Sequence, residues 1–261
     1  MALKLESHMS PEISFSDPWG ISAIVLALGL GGILKGVTGA GVPLIAVPII
    51  AAFYDIKIAV ALLVIPNLMT NIWQGIKYRA HPLEKGFAIK FGICGALGAG
   101  LGTIMLAYLP SSVLGLAIAV IIFIYVTLRL TMPNLQLPIA RARRLLWPAG
   151  VFGGVLQGAV GISAPISVAF LNSMRIPRPN FVFTISVFFT AMCLAQLPAQ
   201  IAYGLMSWNI ALFGLFSIIP LFATIPVGEW IGRRMSPVVF DRAILLVLFV
   251  LAIRLAWVAL T

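Results

Sequence analysis

The residues in this sequence that could act on a ligand are amides, hydroxyls and one lysine, set among glycines. They gather in two stretches. One runs Gly31-Gly32-Ile33-Leu34-Lys35-Gly36-Val37-Thr38-Gly39-Ala40-Gly41-Val42-Pro43, the other Gly153-Gly154-Val155-Leu156-Gln157-Gly158-Ala159-Val160-Gly161-Ile162-Ser163-Ala164-Pro165. Glycine loosens a helix and proline removes a donor, so each stretch is predicted to break one. Pro43 and Pro165 suit the first turn of a new helix, where the missing N–H had no partner anyway. Residues Ala40 to Val42 and Ile162 to Ala164 would then present free amides at a helix N-terminus. Such ends attract anions by about 0.3–1 kcal/mol each, and up to about 2 kcal/mol when partly buried. The competing reading is that glycines only let helices approach closely. It is preferred for Gly98/Gly102 and Gly228/Gly232.

Other polar side chains interrupt long apolar runs. Asn67, Asn71 and Gln74 share one helical face, as do Gln196 and Gln200. Thr38, Gln157, Ser163 and Ser167 lie in or beside the breaks. Each could line a pathway or join helices, at about 0.6 kcal/mol per hydrogen bond. Lys35 amid apolar neighbours needs a counter-charge, a route to the headgroups or a watery cavity. Glu229 is expected to pair with Arg233 one turn later, and Lys90, Arg129 and Arg254 to snorkel from span ends. Cys94 and Cys193 read as packed thiols, and His8 and His81 are too far apart to suggest a metal. There is no P-loop, no intramembrane HExxH pair or Asp dyad, no nucleophile–base pair, no voltage sensor and no TVGYG-type filter. No catalytic residue, metal or cofactor is expected.

The elements that must hold these residues follow from composition. The chain has 261 residues, 61% hydrophobic and 9% charged. A soluble domain carries about 25% charged residues. A soluble enzyme, a disordered chain and a DNA-binding domain are excluded. A membrane β-barrel would alternate apolar and polar residues. Here Phe91 to Leu128 and Asn180 to Gly228 contain no charge at all. The fold class is therefore an all-α integral membrane protein. A broken segment from Trp19 to Tyr54 is followed by spans at Ile56–Ile76, Phe87–Tyr108 and Val113–Leu130. After a basic linker with Pro133, Pro138, Arg141, Arg143 and Arg144, a second broken segment runs from Leu145 to Met174. Spans at Phe181–Gly204, Trp208–Gly232 and Val238–Leu260 complete the chain. The opening MALKLESHM reads as a cloning remnant, and residues 1–18 are set aside as a tail.

A shift of 122 positions superposes the two broken segments with six identities in thirteen positions, Gly31 to Pro43 on Gly153 to Pro165. The chain thus divides into repeats at 19–131 and 145–261, joined by a basic linker at 132–144. The net charge of +10 fits basic cytoplasmic loops better than nucleic acid. Lys77, Arg79 and Lys85 fall in the first inter-span loop of one half, Arg233, Arg234 and Arg242 in the second inter-span loop of the other. If each broken segment enters and returns to one side, these loops, Arg141–Arg144 and Arg175–Arg178 all share the cytoplasmic side. The repeats are then inverted, both termini lie outside, and Lys57 stands on the opposite side from its kind.

The pattern Gly32-x3-Gly36-x2-Gly39-x-Gly41-x-Pro43, repeated as Gly154-x3-Gly158-x2-Gly161-x-Ser163-x-Pro165, resembles the sulfite exporter TauE/SafE family of membrane permeases. It departs from that family's glycine run at Val42 and at Ser163–Ala164. The resemblance implies transport of sulfur-containing anions, such as sulfite or sulfoacetate-like organosulfonates, usually outward. The reading is of a secondary transporter, not an enzyme, in a bacterial-type inner membrane. It would work by alternating access at a midplane anion site between the repeats. The expected substrate-binding residues are Thr38, Gly39, Ala40, Gly41, Asn67, Gln157, Gly161, Ile162, Ser163 and Gln196, with Lys35 as an electrostatic helper and Pro43 and Pro165 as helix restarts. The expected partners are a small anion and membrane lipids, without nucleic acid; a second copy of the chain stays open. A passive anion channel and a lipid-modifying membrane enzyme are the alternatives.

Overall fold

The computed structural model describes residues 13, 17–84, 86–131, 136–234, 249 and 253, and its elements are all helical. Helices α1 (Pro18–Thr38) and α2 (Val42–Ala51) form the first hairpin. Helices α3 (Ile56–Lys77), α4 (Phe87–Tyr108) and α5 (Ser111–Thr131) follow. Helices α6 (Ile139–Val160) and α7 (Ala164–Ser173) make the second hairpin, succeeded by α8 (Arg178–Ala202), α9 (Trp208–Phe216) and α10 (Ile218–Arg234). Among the described residues, six stretches are long and apolar enough to cross a membrane, the last being α9 and α10 together. The chain is a multi-pass membrane protein.

Two boundaries differ from expectation. Helix α6 starts at Ile139, inside the basic linker, because Ala, Arg and Leu are good helix formers whatever their charge. The seventh segment is interrupted at Ser217, three residues before Pro220, which has no N–H to offer the preceding turn. The eighth segment lies outside the described residues except for Phe249 and Ile253, as do Lys85, Arg242, Arg254, His8 and the side chain of Arg129. Ile13, within the tail set aside, is buried in the core.

The 122-residue shift carries α2 onto α7 residue for residue, and Ile56 at the start of α3 onto Arg178 at the start of α8. Packing follows the same correspondence. Helix α1 lies against α10 and α6 against α4, while α3 and α8 lie against each other. Both outer crossings are backbone on backbone. A Cβ on Gly36 would strike the carbonyl of Ile225, and one on Gly158 the carbonyl of Ala99. Gly98, Gly102 and Gly228 sit in the same crossings, so they are packing devices as expected.

Polar contacts mark the two ends of the bundle. At one end Lys77 meets Glu229 at 3.0 Å, Arg143 donates to Glu84 at 2.9 and 3.0 Å, and Asn180 Nδ2 donates to the carbonyl of Pro82 at 3.1 Å. Glu229 therefore pairs across to α3 rather than with Arg233 on its own helix. The second hairpin closes at this end, where Leu137 N–H donates to the carbonyl of Ser173 at 2.7 Å. At the other end Tyr54 OH donates to Asp17 at 2.9 Å, closing the first hairpin, and Ser111 donates to Asp55. Lys57 also lies there, its Nζ donating to the carbonyl of Ala107 at 3.0 Å near the C-terminus of α4. That bond to an otherwise unpaired carbonyl accounts for a lysine at the less basic end.

Candidate functional site

Each hairpin turns through a buried break. In the first, Gly39 (φ +88°) ends α1 and returns its N–H to the carbonyl of Lys35 at 2.7 Å, and Gly41 (φ +98°) leads into α2. Both angles lie in the left-handed region that glycine enters without penalty. Thr38 Oγ1 lies 2.9 Å from the carbonyl of Leu34 and 2.7 Å from that of Ala40, and accepts from Ala40 N–H at 3.3 Å. Its hydroxyl is engaged in holding the turn. In the second break, Gly161 (φ +73°) returns its N–H to Gln157 at 2.9 Å, but Ser163 stands where Gly41 does, at φ −107°. Ser163 Oγ is 3.0 Å from Ser167 Oγ, and Ser167 donates to the carbonyl of Ser163 at 3.0 Å.

Pro43 and Pro165 both fall in the first turn of the returning helix, as anticipated. The backbone amides of Gly41, Val42, Ile162 and Ser163 are buried and take no acceptor among the described residues. The breaks rest on corresponding positions. A Cβ on Gly39 would lie 2.6 Å from Val182 of α8, and one on Gly161 3.2 Å from Val60 of α3. Val60 and Val182 are 122 positions apart, so each break is seated on the middle helix of the other half.

Between the breaks runs a polar seam where α3 meets α8. The helices are antiparallel: Ser186 Oγ donates to Gln74 at 3.3 Å, and seven residues further along each, Asn67 Nδ2 donates to Cys193 Sγ at 3.7 Å. Lys35 enters this seam from α1. It is 1% exposed, and its Nζ donates to Asn71 Oδ1 at 2.8 Å. Asn71 Nδ2 donates in turn to the carbonyl and side-chain oxygens of Asn67, at 2.7 and 2.8 Å. Gln196 Nε2 on α8 donates to the carbonyl of Gln157 on α6 at 3.2 Å. Several buried atoms are left without partners: Gln157 Oε1, Gln196 Oε1, both amide atoms of Gln200, and Thr184 Oγ1. In a dry core such atoms cost about 1–3 kcal/mol each.

The structure joins Lys35 to Asn67 through Asn71, and Gln157 to Gln196 directly. Ser163 bonds only within its own turn. Asn71 stood on the predicted face with Asn67 but outside the expected site; it is the residue that holds the lysine. The repeat does not point to it, because the 122 shift places Lys35 on Gln157 but Gln74, not Asn71, on Gln196; the only signal was its place one turn from Asn67 on the same face. Both cysteines are free and buried, as expected. No group of His, Cys, Asp and Glu suited to a metal occurs among the described residues.

A family model described as "Sulfite exporter TauE/SafE" matches residues 24–255, nearly the whole chain. No curated protein and no solved structure matches it.

Proposed function

The chain belongs to the sulfite exporter TauE/SafE family, and from that premise we propose that it exports small sulfur-containing anions, such as sulfite or sulfoacetate-like organosulfonates, across a bacterial-type inner membrane. The observation that carries this reading is the pair of proline-started return helices whose leading amides, in the buried residues Gly41, Val42, Ile162 and Ser163, have no acceptor among the described residues. Buried N–H groups at helix N-termini suit the oxygens of an anionic head group. Gln157, Gln196 and Asn67 supply side-chain amides beside them, and Lys35 supplies charge.

The two repeats are inverted in this proposal. Closure of one hairpin at Asp17–Tyr54 and of the other at Leu137–Ser173, with Lys77, Glu229 and Arg143 at the second of these ends, supports it. The basic end is then cytoplasmic. Alternating access follows if the halves rock about the α3–α8 seam and expose the breaks to one side at a time. The test is uptake of radiolabelled sulfite or a sulfonate into proteoliposomes. Saturable uptake with competition between close analogues is expected. Flux rising linearly to high concentration without competition would favour a pore.

A further inference from the structure

The glycine crossings tie each repeat to the other. Helix α4, from the first repeat, packs along α6 and α8 of the second, and α1 of the first packs along α10 of the second. The exchange is reciprocal, because the 122-residue shift carries α4 (Phe87–Tyr108) onto 209–230, within α9 and α10. Buried apolar residues divide the same way. One cluster joins α4 to α6, α7 and α8 and reaches beyond them to Ala40 at the first break. The other joins α1, α2 and α3 to Ile210, Phe213 and Leu221 of α9 and α10, takes in α5, and touches Leu106 of α4 and the second break. Phe91 of α4 stacks on Phe188 of α8 with ring centroids 4.0 Å apart, and Trp73 of α3 meets Phe222 of α10 edge-on at 5.6 Å. The ion pairs also keep to this division: Glu84, just before α4, pairs with Arg143 of α6, and Lys77 of α3 with Glu229 of α10.

We infer that the bodies that rock against each other during transport are not the two sequence repeats but two units with exchanged helices. One holds α1, α2, α3, α9 and α10, the other α4, α6, α7 and α8, and they part at the α3–α8 seam. The inference rests on the alternating-access reading and adds which helices move together. At the seam the apolar cluster is small, Val64, Leu68 and Cys193, and polar contacts stand beside it. Ser186 donates to Gln74 at 3.3 Å, Asn67 to Cys193 Sγ at 3.7 Å, and Arg178 of α8 to the carbonyl of Gly36 on α1 at 2.9 Å. Such contacts exchange for water at a net cost of about 0.5–1.5 kcal/mol each. Parting interdigitated helices would instead forfeit all their dispersion contacts at once. Each unit carries one break and seats it on the other unit's middle helix, Gly39 at Val182 and Gly161 at Val60, so both breaks lie on the interface that moves.

The test bridges helices with disulfides in the full-length chain, in a background lacking Cys94 and Cys193. Uptake of a radiolabelled sulfonate into proteoliposomes is compared before and after oxidation, since sulfite itself cleaves disulfides; a protein that carries sulfite alone is bridged with dibromobimane instead. Disulfides need Cβ atoms about 3.5–4.5 Å apart. A Cβ on Gly232 of α10 lies 3.6 Å from that of Val37 on α1, one on Gly92 of α4 lies 3.2 Å from that of Ala191 on α8, and one on Gly75 of α3 lies 4.0 Å from that of Ser186 on α8. The first two bridges tie repeat to repeat but stay within one unit, and the third ties the units together. Oxidised Val37→Cys/Gly232→Cys and Gly92→Cys/Ala191→Cys are expected to keep at least about half the uptake rate of their reduced forms, and oxidised Gly75→Cys/Ser186→Cys to lose at least about tenfold, restored by a thiol reductant. Ile65→Cys/Gly214→Cys, joining α3 to α9, is the substitute if either of the first two variants does not fold. Uptake stopped by a bridge within a unit, or untouched by the bridge across the seam, overturns the inference while leaving the transport reading standing. If the unsubstituted protein takes up neither sulfite nor a sulfonate, the transport reading falls and the inference with it.

Discussion

The hairpin α1–α2 and the hairpin α6–α7 correspond to each other 122 positions apart. A glycine returns its N–H to the first limb, Gly39 to Lys35 and Gly161 to Gln157, and a proline starts the second limb. Their side chains diverge at that shared frame. Where the first hairpin has lysine held by asparagine, the second has Gln157 with an unpartnered oxygen, and the shift carries Asn71 onto Cys193. Where the first turns on Gly41, the second turns on Ser163 with ordinary backbone angles. Dipoles are thus duplicated while the cations gather at the first hairpin: Lys35 is buried in it, and Arg178, standing where the first half has Ile56, donates to the carbonyls of Gly36 and Val37 at 2.9 and 3.4 Å.

The comparison breaks first if the hairpins do not enter from opposite sides. Cysteines introduced at Arg79, Arg143, Arg178 and Arg234, in a background lacking Cys94 and Cys193, should resist an impermeant thiol reagent in intact cells. Cysteines at Ser111 and Gly204 should label fully. Labelling at Arg178 with protection at Arg79 would end the inverted arrangement, because those positions sit at one end only if the second hairpin returns to its own side.

Next in size is the loss of either glycine crossing. Gly36→Leu and Gly158→Leu drive side chains into backbone, at Ile225 and Ala99 respectively. Each should cost about 3 kcal/mol or more, enough to lose the folded, monodisperse fraction in size exclusion. Gly100→Ala meets nothing within 4 Å and should behave as the unsubstituted protein. A large difference between Gly36→Leu and Gly158→Leu would mean that the halves are not packed alike.

These crossings show what was legible beforehand. Span positions follow from apolar runs, and the breaks from glycine beside proline, because both are local properties of the chain. Helix α4 appears with its predicted ends, Phe87 and Tyr108. Partners across helices were not legible. Glu229 finds Lys77 rather than Arg233, and Asn71 rather than a charge meets Lys35, since such meetings depend on the register of helices far apart in sequence. Gly39, Gly41 and Gly161 were expected among the substrate-binding residues. Their positive φ makes any bulky substitute strain the backbone as well, so Gly41→Val and Gly161→Val are poor probes and side-chain changes are better.

The charge asymmetry gives the intermediate effect. Lys35→Gln should lower substrate affinity roughly 100-fold, the upper range for a hydrogen bond between charged groups at about 3 kcal/mol. Gln157→Leu removes only a neutral partner and should cost roughly tenfold, or about 1.4 kcal/mol. Both are read from KM in proteoliposome uptake with kcat measured alongside. If Gln157→Leu were the more damaging of the two, the charge contrast between the hairpins would be reversed.

The smallest expected effect lies where each hairpin closes. The first is held by a side chain: Asp17 accepts from Gly20 N–H at 3.1 Å and from Tyr54 OH at 2.9 Å. These bonds favour the ionised carboxylate and hold Asp17 below its ordinary value of 3.8, while burial and the same aspartate push the Tyr54 hydroxyl up to about 12. A carboxylate depressed in this way stabilises the fold above its unfolded value, and that contribution is lost as pH falls through the lower folded value. Among the described residues the second hairpin closes through a backbone hydrogen bond, Leu137 N–H to Ser173, with Pro138 leading into α6 and no side-chain cap. Acidification below pH 3.8 should therefore speed hydrogen exchange at Gly20 and in the first turn of α1, leaving Leu137 unchanged relative to the rest of the chain. Asp17→Asn should reproduce that loosening at neutral pH and remove its dependence on acid. Equal acid sensitivity at Gly20 and Leu137 in the unsubstituted protein would show that the closure of the first hairpin does not depend on the Asp17 charge.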